Sequence, residues 1–180
     1  TDSDVIARAS QLYDRFHMRR VYFSAFSPIP DASAVLPLKR PPLMREHRLY
    51  QSDWLIRFYG FEVPEIQSAT LDGMLPLDID PKLAWALRER GQFPVDVNRA
   101  AKEQLLRVPG LGTKAVAKIL TARRHRSLRL EDVARLTVSV AKLRPFITTS
   151  DWRPTALTDR IDLRQLVAPA PRAAQLELFG

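Results

Sequence analysis

The sequence predicts a mainly α-helical protein, and three observations carry this prediction. Only one run, "RVYFSAF" (20–26), has the composition of a strand, whereas helical apolar spacing recurs along the chain. Helix ends are clearly marked in "DIDPKLAWALRERG", where Asp80 suits the N-cap, Pro81 the first helical position and Gly91 the residue past the end. In "LLRVPGLGTKAVAKIL" (105–120), a Pro-Gly-Leu-Gly turn joins two helical stretches.

The first elements are a helix and a strand. The apolar pattern predicts a helix over 3–18, capped by Ser3 or Asp4. The strand over 20–26 is apolar on both faces, which is typical of a strand covered on both sides in an α/β sheet or barrel. Residues 28–42 contain five prolines and are predicted to form an irregular loop.

Six further helical segments follow the loop. A helix over 44–59 ends at Gly60, and its aromatic stripe of Tyr50, Trp54 and Phe58 is predicted to pack in the core. A helix that begins at Pro81 comes next. The remaining segments are a helix over 99–107 capped by Asn98, a helix over 113–124, and two short helical patterns within 128–147 joined around Thr137.

Charge and composition favour a polyanionic partner or an anionic membrane surface. Of 180 residues, 28 are Lys or Arg and 20 are Asp or Glu, giving a formal charge of +8. No apolar run approaches the roughly 20 residues of a membrane-spanning helix, and no signal peptide is visible. The chain has no cysteine, which excludes disulfides and thiolate metal sites, and its three histidines lack a metal-ligand spacing. The missing initial methionine leads us to expect a fragment or a processed product.

The Pro-Gly-Leu-Gly turn is the candidate binding site. Glycines at 110 and 112 allow positive φ and leave their amide groups uncovered, at the N-terminus of a helix where the dipole favours an anion. The alternative is that the turn only reverses the chain. The residues predicted to hold a phosphate directly or to supply charge nearby are Gly110, Leu111, Gly112, Thr113, Lys114, Arg123, Arg124 and Arg126, with Leu111 pinning the turn to the core.

The stretch "VPGLGTKA" resembles the helix-hairpin-helix family of sequence-independent DNA-binding modules. The resemblance extends to the tandem form, in which a second and often degenerate hairpin follows, here within "LEDVARL…KLRPFI". In this copy Thr137 stands where a hairpin glycine is expected. The resemblance therefore implies a second unit that packs against the first and contributes little phosphate contact.

Residues 10–150 resemble the C-terminal part of a bacterial family of DNA modification or repair proteins of the radical S-adenosylmethionine type, which are associated with an uracil-DNA-glycosylase-like partner. The quoted motifs are "RRVYFSAFSPIP", "LMREHRLYQSDWLIRFYGF" and "LPLDIDPKLAWALRERGQFPVDVNRA". The resemblance implies that residues 1–30 are the last helix and strand of a partial TIM-type barrel. The family's cysteine triad would hold an iron–sulfur cluster, and it is not in this chain.

The tail contains a second candidate interaction motif. "QLELF" (175–179) resembles the pentapeptide that docks bacterial polymerases and repair proteins on the sliding clamp, with Gln175 as polar contact and Leu176, Leu178 and Phe179 as apolar contacts. The alternative is an apolar cluster that folds back on its own domain. The predicted organisation is 1–30 barrel remnant, 31–95 connecting loop and helices, 96–150 tandem hairpin domain, and 151–180 flexible tail.

These features predict sequence-independent DNA binding by the C-terminal region of a bacterial repair or modification protein in the cytoplasm. No catalytic constellation is recognised in this chain. We expect no cofactor here, with S-adenosylmethionine and an iron–sulfur cluster belonging to a longer protein. The alternative function is a non-catalytic adaptor, which docks a repair partner or the clamp through its helical hairpins and tail.

Overall fold

The computed structural model describes residues 1–28, 39–137 and 139–168, and this part of the chain is mainly helical, as predicted. Its two short strands, β1 (Val95–Asp96) and β2 (Ile147–Thr148), pair in parallel with Val95 opposite Ile147. The α-helices are α1 (Asp2–Phe16), α2 (Leu43–Tyr59), α3 (Val63–Ser68), α4 (Pro81–Arg88), α5 (Lys102–Arg107), α6 (Thr113–Ala122), α7 (Leu130–Ala134), α8 (Val140–Leu143) and α9 (Leu163–Val167), with 3₁₀ turns at Arg90–Gln92, Arg144–Phe146 and Thr155–Leu157.

The first helix begins earlier than predicted and is tied to its neighbours by a buried carboxylate. Thr1, and not Ser3 or Asp4, is the N-cap, and its hydroxyl accepts from the Asp4 amide at 3.3 Å. The carboxylate of Asp2 is buried and accepts from the Arg45 guanidinium and from the Leu75 amide, each at 2.9 Å. One buried acid therefore joins α1, α2 and the segment before α4.

The predicted strand over 20–26 is not formed. Residues 17–28 lie outside any helix or strand. The amides of Val21 and Phe23 donate instead to the hydroxyls of Tyr13 and Tyr50, at 3.1 and 3.0 Å. A strand needs a neighbour to pair its backbone groups, and within the described ranges this segment has none, so side-chain hydroxyls take that role.

An edge-to-face series of aromatic rings runs through the core. Phe61 contacts Trp85, Trp85 contacts Phe93, and Phe93 contacts Phe146, with ring centroids 5.1 to 6.1 Å apart. These four side chains are buried and come from the link between α2 and α3, from α4, from the segment before β1 and from the turn before β2. The series packs the connecting helices and the C-terminal helical pairs into one core.

The C-terminal region contains two helical pairs, α5–α6 and α7–α8, which side-chain hydrogen bonds link. The Asn98 side-chain amide donates to the Leu128 carbonyl at 3.1 Å and accepts from the Leu128 amide at 2.8 Å. Asn98 therefore joins the two pairs, and the prediction that it caps a helix is wrong, since α5 begins at Lys102. The Thr137 hydroxyl donates to the Gly110 carbonyl at 2.8 Å, so the second turn supports the first.

Candidate nucleic-acid interface

The two glycines of the Pro-Gly-Leu-Gly turn have different conformations. Gly110 has φ +87°, a left-handed conformation that favours glycine. Gly112 has φ −87° and ψ 167°, which any residue adopts, so it does not use the positive φ that glycine allows. A Cβ on Gly112 would meet only the Tyr59 hydroxyl within 4 Å, at 3.7 Å. The fold therefore does not require glycine at 112, whose bare backbone leaves an approach open.

Unpartnered amide groups cluster at this turn. In the part of the chain that the structure describes, no acceptor takes the N–H of Gly112, Thr113, Lys114 or Ala115, and the hydrogen bonds of α6 begin with the Val116 amide donating to Gly112 at 3.0 Å. Donors at a helix N-terminus lie at the positive end of the helix dipole. The turn thus offers several backbone donors and a favourable field to one anion.

The carbonyl groups of the turn are held from inside the protein. The ammonium of the buried Lys82 donates to the carbonyls of Leu106 and Leu111, at 2.8 and 2.6 Å, and lies 4.6 Å from the ring centre of Tyr59. Burial lowers the pKa of Lys82 to about 7, against the opposing effect of Asp80. Leu111 is itself buried, as predicted. Lys82 and Leu111 together fix the turn to the core.

The predicted basic residues divide into exposed and engaged side chains. Lys114 and Arg124 are exposed and make no ion pair within the described residues. Arg123 is half-buried, and its guanidinium donates to the carbonyls of Val97 and Ala100 at 3.2 and 2.7 Å. Arg126 pairs with Asp132 at 2.5 Å. Lys114 is the predicted cation that lies in the amide cluster, while Arg123 holds α6 against the segment after β1.

Three lysines of this region were missed from the sequence. Lys118 is exposed one helical turn after Lys114 on α6, and this four-residue spacing was visible in the sequence. Lys82 and Lys142 reach the turn only through the fold, from α4 and α8. Lys142 hydrogen-bonds to Asp80, and this ion pair holds the pKa of Asp80 below its usual value although burial acts to raise it.

The aromatic stripe of α2 does not pack in the core as predicted. Trp54 is 55% exposed and Phe58 is 53% exposed, while Tyr50 is half-buried and its hydroxyl bonds to the backbone of Phe23. The buried side of α2 consists of Arg48, Leu49, Ser52, Asp53 and Leu55. Arg48 and Asp53, which hydrogen-bond to other parts of the chain, occupy part of this side, and Trp54 and Phe58 are exposed on another side.

Several other predicted features find no site here. The clamp-like residues Gln175, Leu176, Leu178 and Phe179 lie outside the described residues. Among the residues that are described, no group of three or more His, Asp or Glu side chains is arranged to hold a metal ion. With no cysteine in its 180 residues, the chain does not supply thiolate ligands to an iron–sulfur cluster. None of the helices in the described ranges has the length and apolar character needed to cross a membrane.

Comparison with protein-family models, with curated proteins and with solved structures finds no match to this chain. The assignment of a function to the turn therefore depends on its own geometry and chemistry.

Proposed function

We propose that this region binds the DNA backbone without reading its sequence, through the turn between α5 and α6. The observation that carries the proposal is the cluster of unpartnered amides at 112–115. The cluster begins at Gly112, a position where the backbone conformation does not require glycine. Phosphate oxygens accept from such donors, as they do at other helix N-termini. Because amides and ammonium groups contact phosphate and not base edges, affinity follows charge and not sequence.

The charges near the turn support this proposal. Lys114 and Lys118 are exposed on successive turns of α6, and the chain carries a formal charge of +8. Both ammonium groups are free to follow a phosphate strand that is anchored at Gly112. Each phosphate neutralised by such a contact releases counterions, so binding weakens steeply as salt rises.

A salt titration of duplex binding tests the proposal. Affinities for two duplexes of unrelated sequence are measured by fluorescence anisotropy, from low to physiological salt. Both are expected to fall equally, and Lys114→Glu is expected to weaken both and to reduce the salt slope by about 1. Arg8→Glu on α1 is the matched control, since it removes the same charge from an exposed site on another helix. No duplex binding at low salt would refute the proposal and favour the adaptor function.

We also propose, from the resemblance alone, that this chain is the C-terminal region of a radical S-adenosylmethionine DNA repair or modification protein. Its clamp-like tail is proposed to bind a sliding clamp. Removal of Leu178 and Phe179 is expected to abolish clamp binding without changing DNA affinity. Equal clamp binding by the truncated protein would contradict the role of the tail.

A further inference from the structure

An open groove of about 470 Å³ lies between α2 and the α5–α6 turn. Trp54 and Tyr59 line it from α2, Lys82 and Lys142 from α4 and α8, and the backbone of 110–112 from the turn. A second groove of about 330 Å³ shares Gln51 and Trp54 with the first and extends to Arg20 and His47. Trp54 therefore lines both grooves, and one of them reaches Gly112, the first residue of the amide cluster.

The indole of Trp54 is held in place and yet open to solvent. Its ring contacts Phe58 edge to face, with centroids 6.0 Å apart, and more than half of its surface is exposed. Exposing a large aromatic side chain forgoes the stabilisation that burial would give. Such exposure beside a groove is typical of a binding surface.

The groove is complementary to an anion that carries a flat apolar group. Among the described residues that line either groove, Asp80 is the one acid, and it is hydrogen-bonded to Lys142. Lys142 balances the charge of Asp80, and the exposed Arg20, which makes no ion pair within the described residues, adds positive charge to the groove that Trp54 also lines. Aromatic faces interleaved with cations are the arrangement by which proteins bind unpaired nucleotides. Paired bases in a duplex are stacked on one another, so their faces are not offered to Trp54.

We infer that this groove takes an unpaired nucleotide, with its phosphate at the amides of Gly112–Lys114 and a neighbouring base stacked on Trp54. The inference rests on the proposed phosphate contact and adds to it the substrate class: single strands, gaps or extruded bases. It assigns Trp54 a role in affinity for unpaired bases that the hairpin alone does not provide.

The test compares three probes: oligothymidylate, a duplex of equal length, and an abasic strand with the same phosphates. Trp54→Ala is expected to weaken oligothymidylate binding about tenfold or more and to leave duplex and abasic-strand binding within about twofold. Trp54→Phe, which keeps an aromatic face, is expected to retain most of the affinity. Phe16→Ala is the matched control, because Phe16 is an exposed aromatic residue that lines neither groove.

A second readout is tryptophan fluorescence. Oligothymidylate is expected to quench part of the emission of the wild-type protein, and this quenching is expected to be absent with the abasic strand and in Trp54→Phe. Unchanged oligothymidylate binding by Trp54→Ala, with Lys114→Glu still weakening the binding of all three probes, would overturn the groove inference alone. Unchanged binding of all three probes by Lys114→Glu and Gly112→Val would instead overturn the proposed phosphate site.

Discussion

Substitution of Gly112 by valine is expected to weaken DNA binding at the α5–α6 turn while the protein still folds. The backbone at 112 is extended, with φ −87°, and a Cβ there meets the Tyr59 hydroxyl at an ordinary contact distance of 3.7 Å. Replacing glycine at a compatible position restricts the unfolded chain, so the free energy of unfolding is expected to stay within about 1 kcal/mol of the wild type. Gly112 is nevertheless the N-cap of α6, and a side chain at an N-cap lies beside the amides of the first helical turn.

The expected loss of DNA affinity follows from those amides. A hydrogen bond to a charged acceptor contributes about 1.5–3 kcal/mol, so losing one weakens binding roughly tenfold to a hundredfold. The assay is fluorescence anisotropy with a labelled duplex at low salt, together with urea unfolding of the same samples. Gly91→Val is the matched control, since Gly91 has no atom within 4 Å of an added Cβ and lies in a 3₁₀ turn. Wild-type affinity of a folded Gly112→Val protein would refute the reasoning.

Two further predictions concern stability. Gly110→Ala is expected to lower the free energy of unfolding by about 1–2 kcal/mol, since φ is +87° and the added Cβ meets the Thr137 hydroxyl at 3.4 Å; a urea midpoint equal to that of wild type would contradict this. The pKa of Lys82 is lowered by burial from 10.5 to about 7. Between these values the unfolded chain binds one more proton than the folded protein, so the free energy of unfolding is expected to rise with pH by up to about 1.4 kcal/mol per pH unit. Below pH 7 Lys82 is protonated in both states, and it adds no pH dependence there. Lys82→Met is expected to lose this rise in urea unfolding series between pH 7 and 10, and equal slopes in both proteins would count against it.

Local signals in the sequence predicted much of the helical framework. Asp80 caps α4 through the Leu83 amide at 2.9 Å, and Gly60 ends α2 with φ +70°, because both effects involve neighbouring residues only. The pairing of the two helical pairs was also expected. The main polar link between the two pairs was not expected: the Asn98 side chain hydrogen-bonds to the backbone of Leu128 and does not cap a helix.

The features that the sequence did not predict depend on residues that are far apart in the chain. The composition of 20–26 is that of a strand, but its backbone groups bond to tyrosine hydroxyls from α1 and α2. The stripe on α2 has core spacing, yet Trp54 is exposed. Arg123 was predicted to supply positive charge near a phosphate, but its guanidinium donates to two backbone carbonyls. For the segment 20–26 and for Arg123 the partners lie at least eight residues away, beyond the reach of periodicity or capping rules.

Nuclear magnetic resonance of the ¹⁵N-labelled protein tests the central claim most directly, by following amide signals during titration with two duplexes of unrelated sequence. The amides of 112–115 are expected to shift most, and in the same way for both duplexes, because these amides donate to a phosphate group that every duplex carries. Signals at 112–115 that stay in place while others move would contradict the account.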